Sequence, residues 1–225
     1  MRRIVFSAIA WTLLVGWAWA ETAPPVLSVS GAGQVAVVPD MAVISLGVVH
    51  VDKTAGAAMA KVGADARALI DVLGGEGVAA RDIQTSQLSV GPVWDTRASG
   101  PRTITGFEAR TMVTVRVRDL DGLGAVLDKV LDAGANTFNG LSFQVQDPSA
   151  AEAEARAAAV REALEKAQQL SAAAGLTLGP VLRLSEGGAG GPRPELFAAR
   201  AADVPIAAGE VTIRATVSME FALEP

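Results

Sequence analysis

The chain has 225 residues, half of them hydrophobic, with no Cys, no Tyr, one His and a formal charge of −5. That length is ample for a packed core without covalent staples. The missing Cys removes disulfides, thiolate zinc sites, cysteine-ligated clusters and cysteine nucleophiles together, and one His removes most histidine chemistry.

The first residues carry the marks of an export signal. Met1-Arg2-Arg3 is a short positive region, Ile4 to Trp19 holds no charge, and Ala18-Trp19-Ala20 is an A-x-A cleavage pattern just before Glu21. The apolar run falls short of the roughly 20 residues a spanning helix needs. The pattern therefore predicts a signal over residues 1–20, cleaved once after Ala20 with Ala18 and Ala20 as the small residues of the site, and a single domain over 21–225. Cleavage removes Arg2 and Arg3 and three of the four Trp, leaving Trp94 as the last. An acidic mature chain argues against nucleic acid and anionic lipid as partners, since both call for a basic footprint. No later stretch is long and apolar enough to insert in a bilayer, so the mature chain is expected to be periplasmic and free of the membrane.

In chain order, Val26 to Val38 and Met41 to Val51 are rich in Val and Ile and divided by Pro39-Asp40, which predicts a hairpin of two strands. Thr54 is an N-cap candidate for a helix whose apolar face is Ala55, Met59, Val62, Ala66, Leu69 and Leu73, ending at Gly74-Gly75. Ile83 to Trp94 and Thr103 to Val117 follow as strands. In the second, Phe107, Ala109, Thr111, Val113, Val115 and Val117 share one face and charged residues the other. Leu120, Leu123, Leu127, Val130 and Leu131 form a helix closed by Gly134, and Leu141, Phe143 and Val145 alternate after it.

The order from Met41 to Val145 is thus strand, helix, strand, strand, helix, strand. It predicts an α+β fold, mainly antiparallel, containing a ferredoxin-like split βαβ unit with helices packed on the sheet. A long helix follows, with Asp147 as N-cap and Pro148 in its first turn. Its pairs Glu152 with Arg156, Arg161 with Glu165 and Glu162 with Lys166 are four apart, worth about 0.2 to 0.5 kcal/mol each. Val160, Ala163, Leu164, Ala167 and Leu170 are its predicted buried stripe and Gly175 its end. A C-terminal strand pair spans Leu178 to Ser185 and Val211 to Leu223. Between them residues 187–204, rich in Gly and Pro, form a flexible loop that either folds back on its own sheet or docks on a neighbouring subunit through Leu196 and Phe197.

Chemical motifs are few. Gly31-Ala32-Gly33 begins a G-x-G-x-x-A match, but the chain continues as strand rather than opening a helix, so the glycines read as a bulge or bend and no dinucleotide site is expected. No P-loop or nucleophile elbow is present. His50 lies on the face of Ile44, Leu46 and Val48 and reads as a sheet-edge residue without a visible partner. Asp128 and Asp132, one turn apart, read as a solvated helix face. Asp82, Thr85 and Ser86 are turn and strand-entry types. Trp94, beside Pro92 at a strand end, suits an interface or edge packing equally.

Taken in order, Val29 to Gly33, Asp82 to Ser86 with Leu88 and Pro92, Ile104 to Phe107, Val115 to Asp121, Gly134-Ala135-Asn136 with Gly140, Ala155-Arg156 with Lys166-Ala167, and Pro205-Ile206 with Gly209-Glu210 resemble the SIMPL-domain family over essentially the whole mature chain. The resemblance implies an exported periplasmic protein of the oxidative-stress defence or immunogenic type, and ring-like homo-oligomers. A eukaryotic relative is a signalling adaptor in the pelle-like kinase pathway. The resemblance implies no catalytic residues, and Trp94 or Phe107 stands where relatives often show Tyr.

The expected function is therefore a non-catalytic periplasmic protein, associated with envelope or oxidative stress, that takes no cofactor or metal and acts through homo-oligomeric assembly or partner binding. Trp94, Leu196 and Phe197 are its candidate contact surface. The competing expectation is a small-ligand binder or enzyme with its site between subunits. Direct oxidant scavenging is disfavoured, because no thiol exists and Met41, Met59, Met112 and Met219 occupy core-like positions.

Overall fold

The last strand of the chain organises half of the molecule. In the computed structural model, which describes residues 25–95, 102–187, 193–194 and 207–225, β8 (Val211–Glu224) buries Val211, Ile213, Ala215, Val217, Met219 and Phe221 on one face, as the alternation predicts. Strand β1 (Val26–Val37) pairs with it antiparallel over its full length, from Val26 opposite Ala222 to Val37 opposite Val211. On the other side β8 pairs with β6 (Thr177–Glu186) and with the short β7 (Arg193–Pro194). The expected β1–β2 hairpin does not form. Strand β2 (Met41–Asp52) lies in a second sheet of order β3-β4-β2-β5, where both its edges are taken. Pro39-Asp40 carries the chain from one sheet to the other, because β8 offers β1 a partner matched over twelve residues.

The second sheet is built from β2, β3 (Ile83–Trp94), β4 (Ile104–Val117) and β5 (Thr137–Gln144), all neighbours antiparallel. Helices α1 (Ala55–Gly75) and α2 (Leu123–Asp132) cover one face. Leu69, Leu73, Leu123, Val126 and Val130 pack there on Ile44, Leu46, Val113 and Val115. The fold is α+β and antiparallel, as expected, and its element and strand orders are compatible with a split βαβ arrangement. Thr54 caps α1 through Ala57 N–H at 3.2 Å. The three α-helices among the described residues end alike: Gly77, Gly134 and Gly175 have φ of 84°, 105° and 71°, and the backbone closes onto the last turn. Gly74 and Gly75, expected as the cap of α1, still belong to the helix.

Helix α3 (Ser149–Ala173) covers the first sheet and departs from the predicted stripe. Its buried face is Ala155, Ala159, Ala163, Ala167 and Ser171, while Leu170 is exposed and Val160 and Leu164 flank the contact. The reason lies in β1. A Cβ at Gly31 would fall inside the Ala159 carbonyl, and one at Gly33 inside that of Ala155. The two glycines sit in regular register opposite Val217 and Ala215, so they make no bulge or bend. They let a helix of alanines settle directly on the strand. Asp147 accepts from Ser149 N–H at 3.1 Å, and the Glu152–Arg156 and Glu162–Lys166 pairs form at 3.0 and 2.9 Å. Among the described residues Arg161 and Glu165 form no such pair.

Candidate functional site

At the end of the second sheet, a single 3-10 turn (Ala80–Asp82) presents Asp82, 4% exposed, to the end of β4. Arg118 donates Nε to Oδ2 at 2.9 Å and Nη2 to Oδ1 at 2.8 Å, a forked pair. The Arg118 fork, assisted by the charges of Arg81 and Arg116, holds the Asp82 carboxyl below the usual carboxylate range against the opposing effect of burial. Arg118 Nη1 donates to Gln146 Oε1. A 360 Å³ cleft opens beside the pair, lined among others by Glu76, Val78, Arg81, Arg116, Asp119 and Val126. Asp119 is engaged in accepting from Asp121 and Gly122 N–H at the start of α2. A carboxylate held ionised by a forked guanidinium makes a weak base at neutral pH, so the chemistry here is charge pairing.

His50 has a partner that the sequence did not reveal. Its Nε2 is 2.6 Å from Oδ2 of Asp65 on α1, both side chains about a third exposed. Close by, the Asn136 amide accepts from Val49 N–H at 2.8 Å and donates to Val49 O at 2.9 Å, extending the β2–β5 pairing just ahead of the first residue of β5. These contacts tie β2 to α1 and to the start of β5. Among the described residues no hydroxyl hydrogen-bonds to His50, so the pair lacks the nucleophile of a triad.

The remaining candidate surface is apolar. The β3–β4 hairpin runs past the last β2–β4 pair, Asp52 opposite Phe107, and near its tip Trp94 lies opposite Ile104, 44% and 50% exposed. Leu88 and Val90 are exposed on the same edge strand. On the other sheet, edge strand β6 exposes Val181, Leu182 and Leu184. The β1 edge is different. Glu162 accepts from Ala32 N–H, and Lys166 donates to Ser30 O at 3.1 Å, so α3 side chains occupy backbone groups that another strand would use.

Of the remaining candidates, Ala18, Ala20, Leu196 and Phe197 lie outside the described residues, as does most of the 187–204 loop. Asp128 and Asp132 are exposed on α2, and no group of three or more metal-ligating side chains occurs among the described residues. Met41, Met112 and Met219 are buried. No described helix is long and apolar enough to cross a membrane. Asp82 does lie in a turn, as its type predicts, but no spacing in the sequence points to Arg118 as its partner, to Asp65 as the partner of His50, or to Gln146. The only advance signal was that Asp82, Arg118 and Asn136 all sit in the motifs that carry the family resemblance.

Residues 27–221, spanning both sheets, match the family model described as SIMPL, a protein of unknown function (DUF541). The chain belongs to the SIMPL family. It is 35% identical over 216 residues to the 26 kDa periplasmic immunogenic protein of Brucella melitensis, covering 90% of this chain and 86% of the relative. It is 32% identical over 210 residues to uncharacterized protein YggE of Escherichia coli, covering 89% and 84%. Within this SIMPL chain the motifs that carry the resemblance have structural roles: Gly31 and Gly33 seat α3, exposed Arg118 forks onto buried Asp82, and Asn136 pairs with Val49 ahead of β5.

Proposed function

We propose that this SIMPL-family chain is exported to the periplasm by cleavage of residues 1–20, and that residues 21–225 serve there as one domain, without turnover, in envelope or oxidative-stress defence. It acts by assembling with copies of itself through its open sheet edges. The relative named a periplasmic immunogenic protein and the A-x-A pattern support the location. The observation that carries the assembly reading is the contrast between edges: β1 is closed by Glu162 and Lys166, whereas β3 and β6 leave Leu88, Val90, Trp94, Val181, Leu182 and Leu184 exposed. Exposed apolar edge strands invite pairing with another chain. With Met41, Met112 and Met219 buried, Met59 half-buried and no thiol present, the proposed protective effect runs through binding rather than through oxidation of the protein itself.

Sedimentation of the purified mature chain tests this. The parent should sediment as a defined oligomer, and Leu182→Asp with Leu184→Asp should shift it toward the monomer while leaving it folded; a monomeric parent would overturn the reading. The cleft beside Asp82 favours a second reading, a small-ligand binder. A saturable rise in melting temperature with a ligand, abolished by Arg116→Ala, would support it.

A further inference from the structure

The chain passes between the two sheets only twice, through residues 38–40 and residues 145–148. The sheets do not share an apolar cluster: Ile44, Leu69 and Val113, with Ala58, Val62 and Ala109 beside them, lie under α1 and α2 in one, and Ala159, Val217 and Phe221 lie under α3 in the other. Separate cores leave the angle between the sheets to the connectors.

Those connectors are not free. Asp40 N–H donates to Gln144 O at 3.2 Å, Asp40 Oδ1 accepts from Gln146 N–H at 2.7 Å, and Gln146 Nε2 donates back to Asp40 O at 3.2 Å. These three bonds tie one crossing to the other. Gln146 Oε1 then accepts from Arg118, whose other nitrogens fork onto buried Asp82. A continuous hydrogen-bonded line therefore runs from a buried carboxylate at the end of the second sheet to both crossings at once.

We propose that Asp82, Arg118, Gln146 and Asp40 form a latch that fixes the orientation of one sheet against the other. The two halves of the line have different jobs. Asp82 is buried and anchors Arg118 within the second sheet. Gln146 and Asp40 are exposed, so removing either should cost little folding stability, and what their three mutual bonds and the Arg118 bond restrict together is the relative placement of the two crossings. The arrangement is the kind of hinge in which a few element-terminal residues absorb the change of angle. Arg118 also lines the 360 Å³ cleft, which puts the latch within reach of anything seated there.

The chain has no Cys, so two introduced cysteines can be spin-labelled without interference. Ala68→Cys on α1 and Gln169→Cys on α3 are both exposed, and dilution into excess unlabelled chain removes distances between copies. Pulsed electron resonance should give one narrow distance distribution in the parent. Gln146→Ala should broaden or displace it beyond the parental width with the melting temperature unchanged, and Asp40→Ala should do the same, while Asp40→Asn, which keeps the accepting oxygen, should match the parent. Superimposable distributions for the parent, Gln146→Ala and Asp40→Ala, all folded, would overturn the latch.

Discussion

Asp82 and Arg118 show what one pairing does for a small acidic domain. The carboxylate is buried and held by two charge-assisted hydrogen bonds, so Asp82→Ala leaves a guanidinium without its partner and should lower stability by about 1–3 kcal/mol, read from chemical denaturation. The sign of its pH dependence follows from the depressed carboxyl. A folded-state value below the unfolded one stabilises above the ordinary carboxylate range and fades as pH falls through the depressed value. The stability gap between the parent and Asp82→Asn should therefore be constant from neutral pH down to about pH 5 and shrink below about pH 4; a gap that widens in acid would contradict the assignment. The shifts at Glu162, driven by Ala32 N–H and then Lys166, and at Asp147, driven by Ser149, have the same sign.

At the scale of elements, local pattern and distant pairing are legible to different degrees. Strand alternation in β4 and β8, the spacing in α1 and the glycine after α2 and α3 are properties of a few neighbouring residues, and each places its element correctly. The β1–β2 hairpin failed because a Pro-Asp turn signal says only that the chain bends, while the choice of β8 as partner depends on residues nearly 200 positions away. The α3 stripe was right at Ala163 and Ala167 and wrong at Leu170 for a related reason. Hydrophobicity ranks Leu170 above Ala159, but a strand bearing Gly31 and Gly33 selects the smallest side chains. Gly31→Ala should thus cost about 1–3 kcal/mol through overpacking. Gly91→Ala in β3, where a Cβ meets nothing within 4 Å, should stay within about 0.5 kcal/mol of the parent.

At the scale of the whole molecule, the second sheet carries a large cluster and a small one of Ala58, Val62 and Ala109, the first sheet a cluster of its own, and none of the three is shared between sheets, which implies two units of cooperativity. Native-state hydrogen exchange on Gly31→Ala should show lost protection in β1, α3 and β8 and unchanged protection in β2, β4 and α2. Uniform loss across both sheets would mean that they unfold as one. The candidate site is also less legible at this scale than the fold. His50 looked solitary and Asp82 looked like a turn residue, because Asp65, Arg118 and Gln146 reach them through the tertiary fold and leave no spacing rule in the sequence.

The seating of α3 on β1 carries a further consequence for registry. Four residues along a helix advance about 6.0 Å, and two along a strand about 6.6 Å, so an alanine at every fourth position meets a glycine at every second almost in step. Such a ladder is nearly periodic, and a slide of one helical turn would bring the same small residues together again. Apolar contact alone would leave neighbouring positions close in energy. What distinguishes the native one is aperiodic: Glu162 on Ala32, Lys166 on Ser30 and Arg156 on Glu186. Three charged side chains thus act as the detent of a ratchet whose teeth are alanine and glycine.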